Sequence, residues 1–263
     1  AASCKELEMK SKKILAAVAV LVLLIGGYGA VRYVENAVVR KVRELERLPS
    51  PKVRIGDAQF SLLRKQLVLN DLQVEVKTVG SAGASSTSNY AVRRVEAVVP
   101  LELLFDAPAG QRLLCSEAVA HDMRVESVIG AEKDDDKIRV TQIVAEQRIA
   151  NLRANLPKLA EVMRTDASEA KKFLDITAEI RCDLWEVRNI RAEMDGIGAF
   201  PSIAYTLELG RVEGFDKGDM KLGEYSGLKV FAKNAPVASL GAMSFRDFRM
   251  PTPAVFEALD QLG

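Results

Sequence analysis

His121 is the only histidine in the chain, so any imidazole-based acid–base or metal chemistry would have to pass through it. One imidazole cannot build a two-histidine metal site, and a Ser-His-Asp arrangement would depend on this residue alone. Its neighbour Asp122 stands in a strand-like stretch, where successive side chains point to opposite faces, so the two cannot form a dyad by adjacency. His121 is read as structural. Cys4, Cys115 and Cys182 lack the paired spacing of a zinc site. Glu132 to Lys137 is dense in charge but has neither the central glycine nor the closing glutamate of a calcium loop, so it is read as a solvated turn. Gly80 to Asn89 contains small polar residues without a Gly-Lys-Ser/Thr ending, and reads as a flexible loop between strands, not a phosphate cradle. The remaining carboxylates are scattered among Lys and Arg. No catalytic, cofactor-binding or metal-binding residue is expected, and the chain is read as non-enzymatic.

The element that dominates the sequence is the uncharged run Ile14 to Val31, preceded by Lys10, Lys12 and Lys13 and followed by Arg32. At about 1.5 Å per residue its roughly 18 positions span about 27 Å, close to the hydrocarbon thickness of a bilayer. A single membrane crossing is expected, with residues 1–13 in the cytoplasm and everything beyond residue 32 outside it by the positive-inside bias. A cleaved signal peptide is the competing reading, since the core Ile14 to Ile25 is short and Gly27-Tyr28-Gly29 is small enough to be cut. Val34, Val38, Val42, Leu45 and Leu48 then recur at helical spacing among cations. They predict an amphipathic stalk over residues 32–48, stopped by Pro49 and Pro51.

Charges nearly cancel, with 37 Lys and Arg against 36 Asp and Glu, and aromatic residues make up 6%. Neither a phosphate-binding cationic surface nor a base-stacking platform can be assembled from this, which argues against nucleic acid as a partner. With the expected topology, Cys115 and Cys182 lie in an oxidising compartment, and either a disulfide between them or two buried reduced thiols satisfies the sequence.

The rest reads as mainly β with helices. Val53 and Ile55, then Leu72, Val74 and Val76, alternate with polar residues as a hairpin half-buried on one face, with Asn70-Asp71 suggesting a bulge. Strand patterns return in Tyr90 to Leu104 and Arg112 to Val128, completing a β-rich module over 51–131. Ile149, Leu152, Leu156, Leu159 and Met163 step by threes and fours, so 132–174 is read as a helical insertion, kinked or restarted at Pro157, with Asp166 capping a last short helix. Residues 175–263 read as a second antiparallel meander packing with the first module, ending in a short helix over 254–262. Trp185 is read as a core or sheet-edge residue.

Here a resemblance enters. The block VRIGDAQFSLLRKQLVLNDLQVEV after an N-terminal anchor, followed by YAVRRVEAVVPLELLF and QRLLCSEAVAHDMRVES, resembles the opening module of the AsmA-like envelope proteins. That superfamily includes the TamB and YdbH types and is similar to the chorein-type bridge proteins of eukaryotes. The likeness covers roughly residues 14 to 128 and is one of rhythm more than identity; the chain is shorter than the family's long sheets. It implies a curved antiparallel sheet with an apolar concave face, a bacterial inner-membrane anchor and a periplasmic main domain that handles lipids.

Under that reading Leu72, Val74, Val76, Leu101 and Leu103 would contact lipid acyl chains, with no covalent step. The expected function is a membrane-anchored periplasmic protein that binds or helps transfer lipids in envelope maintenance. A non-catalytic structural or interaction module of an envelope complex, holding a protein partner by an exposed edge, is the alternative.

Overall fold

The computed structural model describes residues 31–47, 51–79, 85–101, 110–130, 137–162, 169–195 and 202–249. Nine strands form one open antiparallel sheet in which spatial order is sequence order: β1 (Lys52–Ser61), β2 (Gln66–Val79), β3 (Ser85–Val98), β4 (Arg112–Gly130), β5 (Ile138–Ala154), β6 (Ile180–Met194), β7 (Ile203–Asp216), β8 (Asp219–Ala232) and β9 (Ala235–Arg249). The two meanders expected on either side of an insertion are thus one continuous meander. Its last two hairpins turn through Lys217-Gly218 and Lys233-Asn234, whose positive φ values (55° and 93°, 50° and 64°) match the strand twist in two-residue loops.

A helix over 31–43 (α1) tightens into a 3₁₀ turn, Glu44–Arg47, in place of a single stalk helix running to residue 48. This segment lies along β1. Glu46 Oε1 accepts from the Ile55 N–H at 2.8 Å, Glu35 Oε1 accepts from the Leu62 N–H at 3.0 Å, and Arg43 donates to the Ile55 and Gly56 carbonyls at 3.4 and 3.5 Å. Side chains of this segment therefore occupy outward backbone groups of Ile55 and Gly56 on β1 and of Leu62 just past its end. Val38, Ile55, Ala58 and Phe60 are buried at this edge.

The helical insertion is smaller than expected. Ile149 and Leu152 belong to β5, and helix begins only at α2 (Leu156–Val162), followed by α3 (Glu169–Ala178). Asn155 Oδ1 accepts from the Lys158 N–H at 3.4 Å as the cap of α2, and Pro157 occupies the first turn, where its missing N–H costs nothing. Where β5 leaves and β6 returns, Cys115, Ala154, Leu174, Cys182 and Phe215 are buried. Ser85 to Asn89, read as part of a loop, is strand: it pairs with β2 on one side and β4 on the other. Conversely β3 stops at Val98, so Leu101 sits in the turn that follows it.

Among the described residues no helix is long and apolar enough to cross a membrane. The crossing expected over 14–31 lies outside them except for Val31, as do the tail 1–13, Leu103, the charge cluster 132–136, Met163, Asp166 and the terminal helix 254–262.

Candidate functional site

One backbone conformation, taken by Asp, Asn and Gly, organises both faces of the sheet. Asp71, Asp122 and Asn189 have φ of 53°, 51° and 51°, and Gly227 has 66°. Asp71 lies between the pairs Asp57↔Asn70 and Ile55↔Leu72, opposite Gly56, and the register is the same on either side. The break expected at Asn70-Asp71 is therefore a left-handed residue without the extra residue of a bulge. Continued through the neighbouring pairings, the same row runs Gly56, Asp71, Arg93, Asp122, Ala145, Asn189, Glu208, Gly227, Gly241, with left-handed and extended residues alternating strand by strand. A second row, Ser116, Asn151, Asp183, Gly214, Lys221, Asp247, alternates in the same way, with φ of 51°, 61° and 51° at Asn151, Gly214 and Asp247. Asp, Asn and Gly are the residues for which this conformation costs least.

The first row shifts the side-chain alternation in all nine strands together, and the second shifts it again in β4 to β9. On β2 the apolar set is Leu67 and Leu69, then Leu72, Val74 and Val76; on β4 it is Ala118 and Ala120, then Met123 and Val125. Asn70-Asp71 and His121-Asp122, the residues between, fall on the other face. One face is consequently apolar across the whole sheet. Its central line is Ile55, Leu72, Val92, Met123, Val144, Ile190, Leu207, Leu228 and Leu240, one residue per strand. Parallel lines lie on both sides of it: Val53, Val74, Tyr90 and Val125 in one direction, and Phe60, Leu67, Ala97, Ala118, Ile149, Trp185 and Val212 in the other. The polar members of this face are few. Gln142 and Gln147 lie on β5, and Ser88 and Ser127 join their hydroxyls at 2.8 Å.

This face is only partly filled. Val144 is 1% exposed at the centre of a cluster with Ile190 and Leu207, yet Trp185 on the same face is 44% exposed, Tyr90 37% and Met243 47%. Trp185 is thus neither core nor edge; it stands in mid-sheet on the open apolar surface. The structure places Leu72, Val74 and Val76 together on this face, half-buried, and puts Leu101 beyond the strand end. Missed in the sequence were the residues that extend the face across the remaining strands, above all Val144, Trp185, Leu207 and Leu228.

The opposite face is charged and paired. Arg94–Glu96, Arg124–Glu126, Arg191–Glu193 and Arg211–Glu213 each bridge two residues along one strand, straddling a Val or Ala that points to the apolar side. The repeated Arg-Val/Ala-Glu is the sequence signal that could have found both faces. Glu186 is 7% exposed and accepts from Arg188 Nε at 2.7 Å; that hydrogen bond, with the charge of Glu186, raises the Arg188 pKa. Lys77, and less strongly Lys52 across the β1–β2 pairing, hold the Glu75 carboxyl below its ordinary range.

His121 belongs to this charged face, with Nδ1 3.7 Å from Glu146 Oε2, while Asp122 accepts from Arg93 Nη1 at 3.2 Å. Contrary to the expectation from strand alternation, the left-handed Asp122 brings the two adjacent residues to the same face, but the contacts shown for them run to different partners, Glu146 and Arg93. Cys115 and Cys182 are free thiols on β4 and β6 with β5 between them, not a disulfide. Burial pushes both thiol pKa values up, that of Cys182 to about 11 with the help of the Asp183 carboxylate and Cys115. Among the described residues no three His, Cys, Asp or Glu side chains are grouped as metal ligands.

Comparison with known proteins yields no matching family model, curated protein or solved structure.

Proposed function

We propose that the protein binds lipid acyl chains along the apolar face of its sheet, as a membrane-anchored, non-catalytic protein of the AsmA-like kind. The observation that carries this reading is the unbroken apolar line across nine strands, with large side chains such as Trp185 left 44% exposed beside it. A single exposed hydrophobic residue means little, but a contiguous apolar surface marks a binding face. Acyl chains suit it because it is wide, aliphatic and poor in hydrogen-bonding groups, so it offers area and little directional recognition. The salt-bridged opposite face would stay in water. The apolar run at 14–31 would tether the sheet to the bacterial inner membrane, with the sheet on the periplasmic side, curved around its ligand.

The single tryptophan supplies the test. Phospholipid carrying a nitroxide on its acyl chain, added to the full chain in amphipol, is expected to quench most of the Trp185 emission, while the same nitroxide on a water-soluble amine is not. Emission unchanged by the acyl-labelled lipid would overturn the reading. A second reading, a module that holds a protein partner, is favoured by the long exposed strand β9.

A further inference from the structure

The two edges of the sheet are treated differently. At β1 the outward backbone groups of Ile55, Gly56 and Leu62 are occupied by Glu46, Arg43 and Glu35. At β9 fourteen of the fifteen residues are exposed, Phe245 alone excepted, and no described residue pairs with its outer side. Residues 237–245, VASLGAMSF, carry no charge. A long uncharged edge strand is a template for another strand.

The template is specific. In each of β4 to β9 the two row residues are six positions apart and the second is left-handed, as with Ala145 and Asn151, Glu208 and Gly214, or Gly241 and Asp247. A tenth strand that continued both rows would need an extended residue opposite Asp247 and, six residues further along its own chain, a left-handed residue opposite Gly241. It would also need apolar residues opposite Leu240, Met243, Phe245 and Phe248. β9 itself meets all of these conditions when turned about Ser244. Gly241 then faces Asp247 of the second copy, Leu240 faces Phe248, Met243 faces Phe245, and Arg246 and Arg249 face Ala242 and Ser239, so that no like charges meet.

We propose that two copies of this chain pair antiparallel through β9 about a two-fold axis at Ser244. The axis is normal to the sheet, so both apolar faces lie on the same side and the nine-stranded surface is doubled into one. Side chains of the helical segment already hold the outward groups of Ile55, Gly56 and Leu62, which disfavours head-to-tail addition at β1, so the assembly closes at two copies. This inference rests on register and edge chemistry, independent of whether lipid occupies the face.

Disulfide trapping reads the register directly. In the full chain with Cys4 replaced by Ser, Ser244→Cys meets its own copy at the separation of a cross-strand pair, within disulfide range. Ala242→Cys stands about 13 Å from its counterpart, four residues off register, and cannot bridge. Mild oxidation is expected to convert most of the Ser244→Cys protein to covalent dimer and to leave Ala242→Cys monomeric. A mixture of Ala242→Cys and Arg246→Cys chains should give the heterodimer. The unsubstituted chain should have the mass of a dimer by light scattering after subtraction of bound detergent. Monomeric mass, equal trapping at 242 and 244, or trapping of Ser244→Cys only onto a different polypeptide would each overturn the proposal.

Discussion

Asn151, left-handed at φ 51°, donates through Nδ2 to Asp183 Oδ2 at 2.7 Å, side chain to side chain along the second row. The bond holds the shift in alternation that carries Ile149 and Leu152, three residues apart, onto one face. Asn151→Val places a β-branched residue where only Gly, Asn and Asp are comfortable and removes the donor. It should cost roughly 1–3 kcal/mol in urea unfolding. Asn151→Gly keeps the backbone and should lose only about 1 kcal/mol, that of the hydrogen bond.

At the shielded edge, Glu46→Ala leaves the Ile55 N–H without its 2.8 Å acceptor. A hydrogen bond to a carboxylate contributes about 1.5–3 kcal/mol, and the loss is expected in that range, less what water recovers at this partly open position. Glu46→Gln, which retains an acceptor, should lie between the variant and the parent in the same urea titration.

Gly223 has an ordinary extended backbone, yet a Cβ there would overlap the Phe245 ring, which lies over it from β9. Phe245 also stacks with Tyr225 at 5.9 Å and meets Phe248 edge-on at 5.5 Å. Gly223→Ala should displace the ring and destabilise by about 1–3 kcal/mol, the usual cost of overpacking. Gly223→Ala combined with Phe245→Leu should recover part of the loss, which a double-mutant cycle measures.

The two thiols give a pH dependence of definite sign. The folded Cys182 pKa is raised from 9.0 to about 11, and that of Cys115 is raised as well. The unfolded chain therefore releases these protons first. Their contribution to stability is complete below about pH 9 and falls as the pH rises through about 11. Stability measured from pH 8 to 11 should decline less steeply in Cys182→Ala than in the parent. In the native protein both thiols should resist a maleimide at pH 8, reacting fully only after denaturation.

The antiparallel meander was legible because period-two alternation survives within each half-strand, as in Leu72, Val74 and Val76. What concealed the strand lengths were the left-handed residues. By shifting the alternation, Asn151 turns Ile149, Leu152 into a step of three, which a sequence reading takes for helix, and the true helix beginning at Leu156 extends the illusion. Ser85 to Asn89 was hidden for a different reason: small polar residues carry no strand pattern, and their pairing with β2 and β4 is imposed by strands already in register. The apolar face was read on β2, and the Arg-Val/Ala-Glu repeats of β3, β4, β6 and β7 mark the same alternation locally; its continuity was not legible because it depends on registry among nine strands separated by turns of different lengths.

That registry makes a face-specific prediction. Ile143 is 43% exposed, much as Trp185 is, but it lies on the charged side between Arg124 and Arg191. Exposure alone would make the two positions equally good lipid contacts; the two-faced sheet makes them opposites. With Trp185→Phe as background, Ile143→Trp moves the single fluorophore to the other side of the sheet at a position of similar exposure. Acyl-chain nitroxides should then leave its emission nearly unchanged, while a water-soluble quencher such as iodide reaches it freely. Equal acyl quenching at the two positions would mean that lipid or detergent coats the sheet without regard to face, because the pleat itself keeps the two indoles on opposite sides.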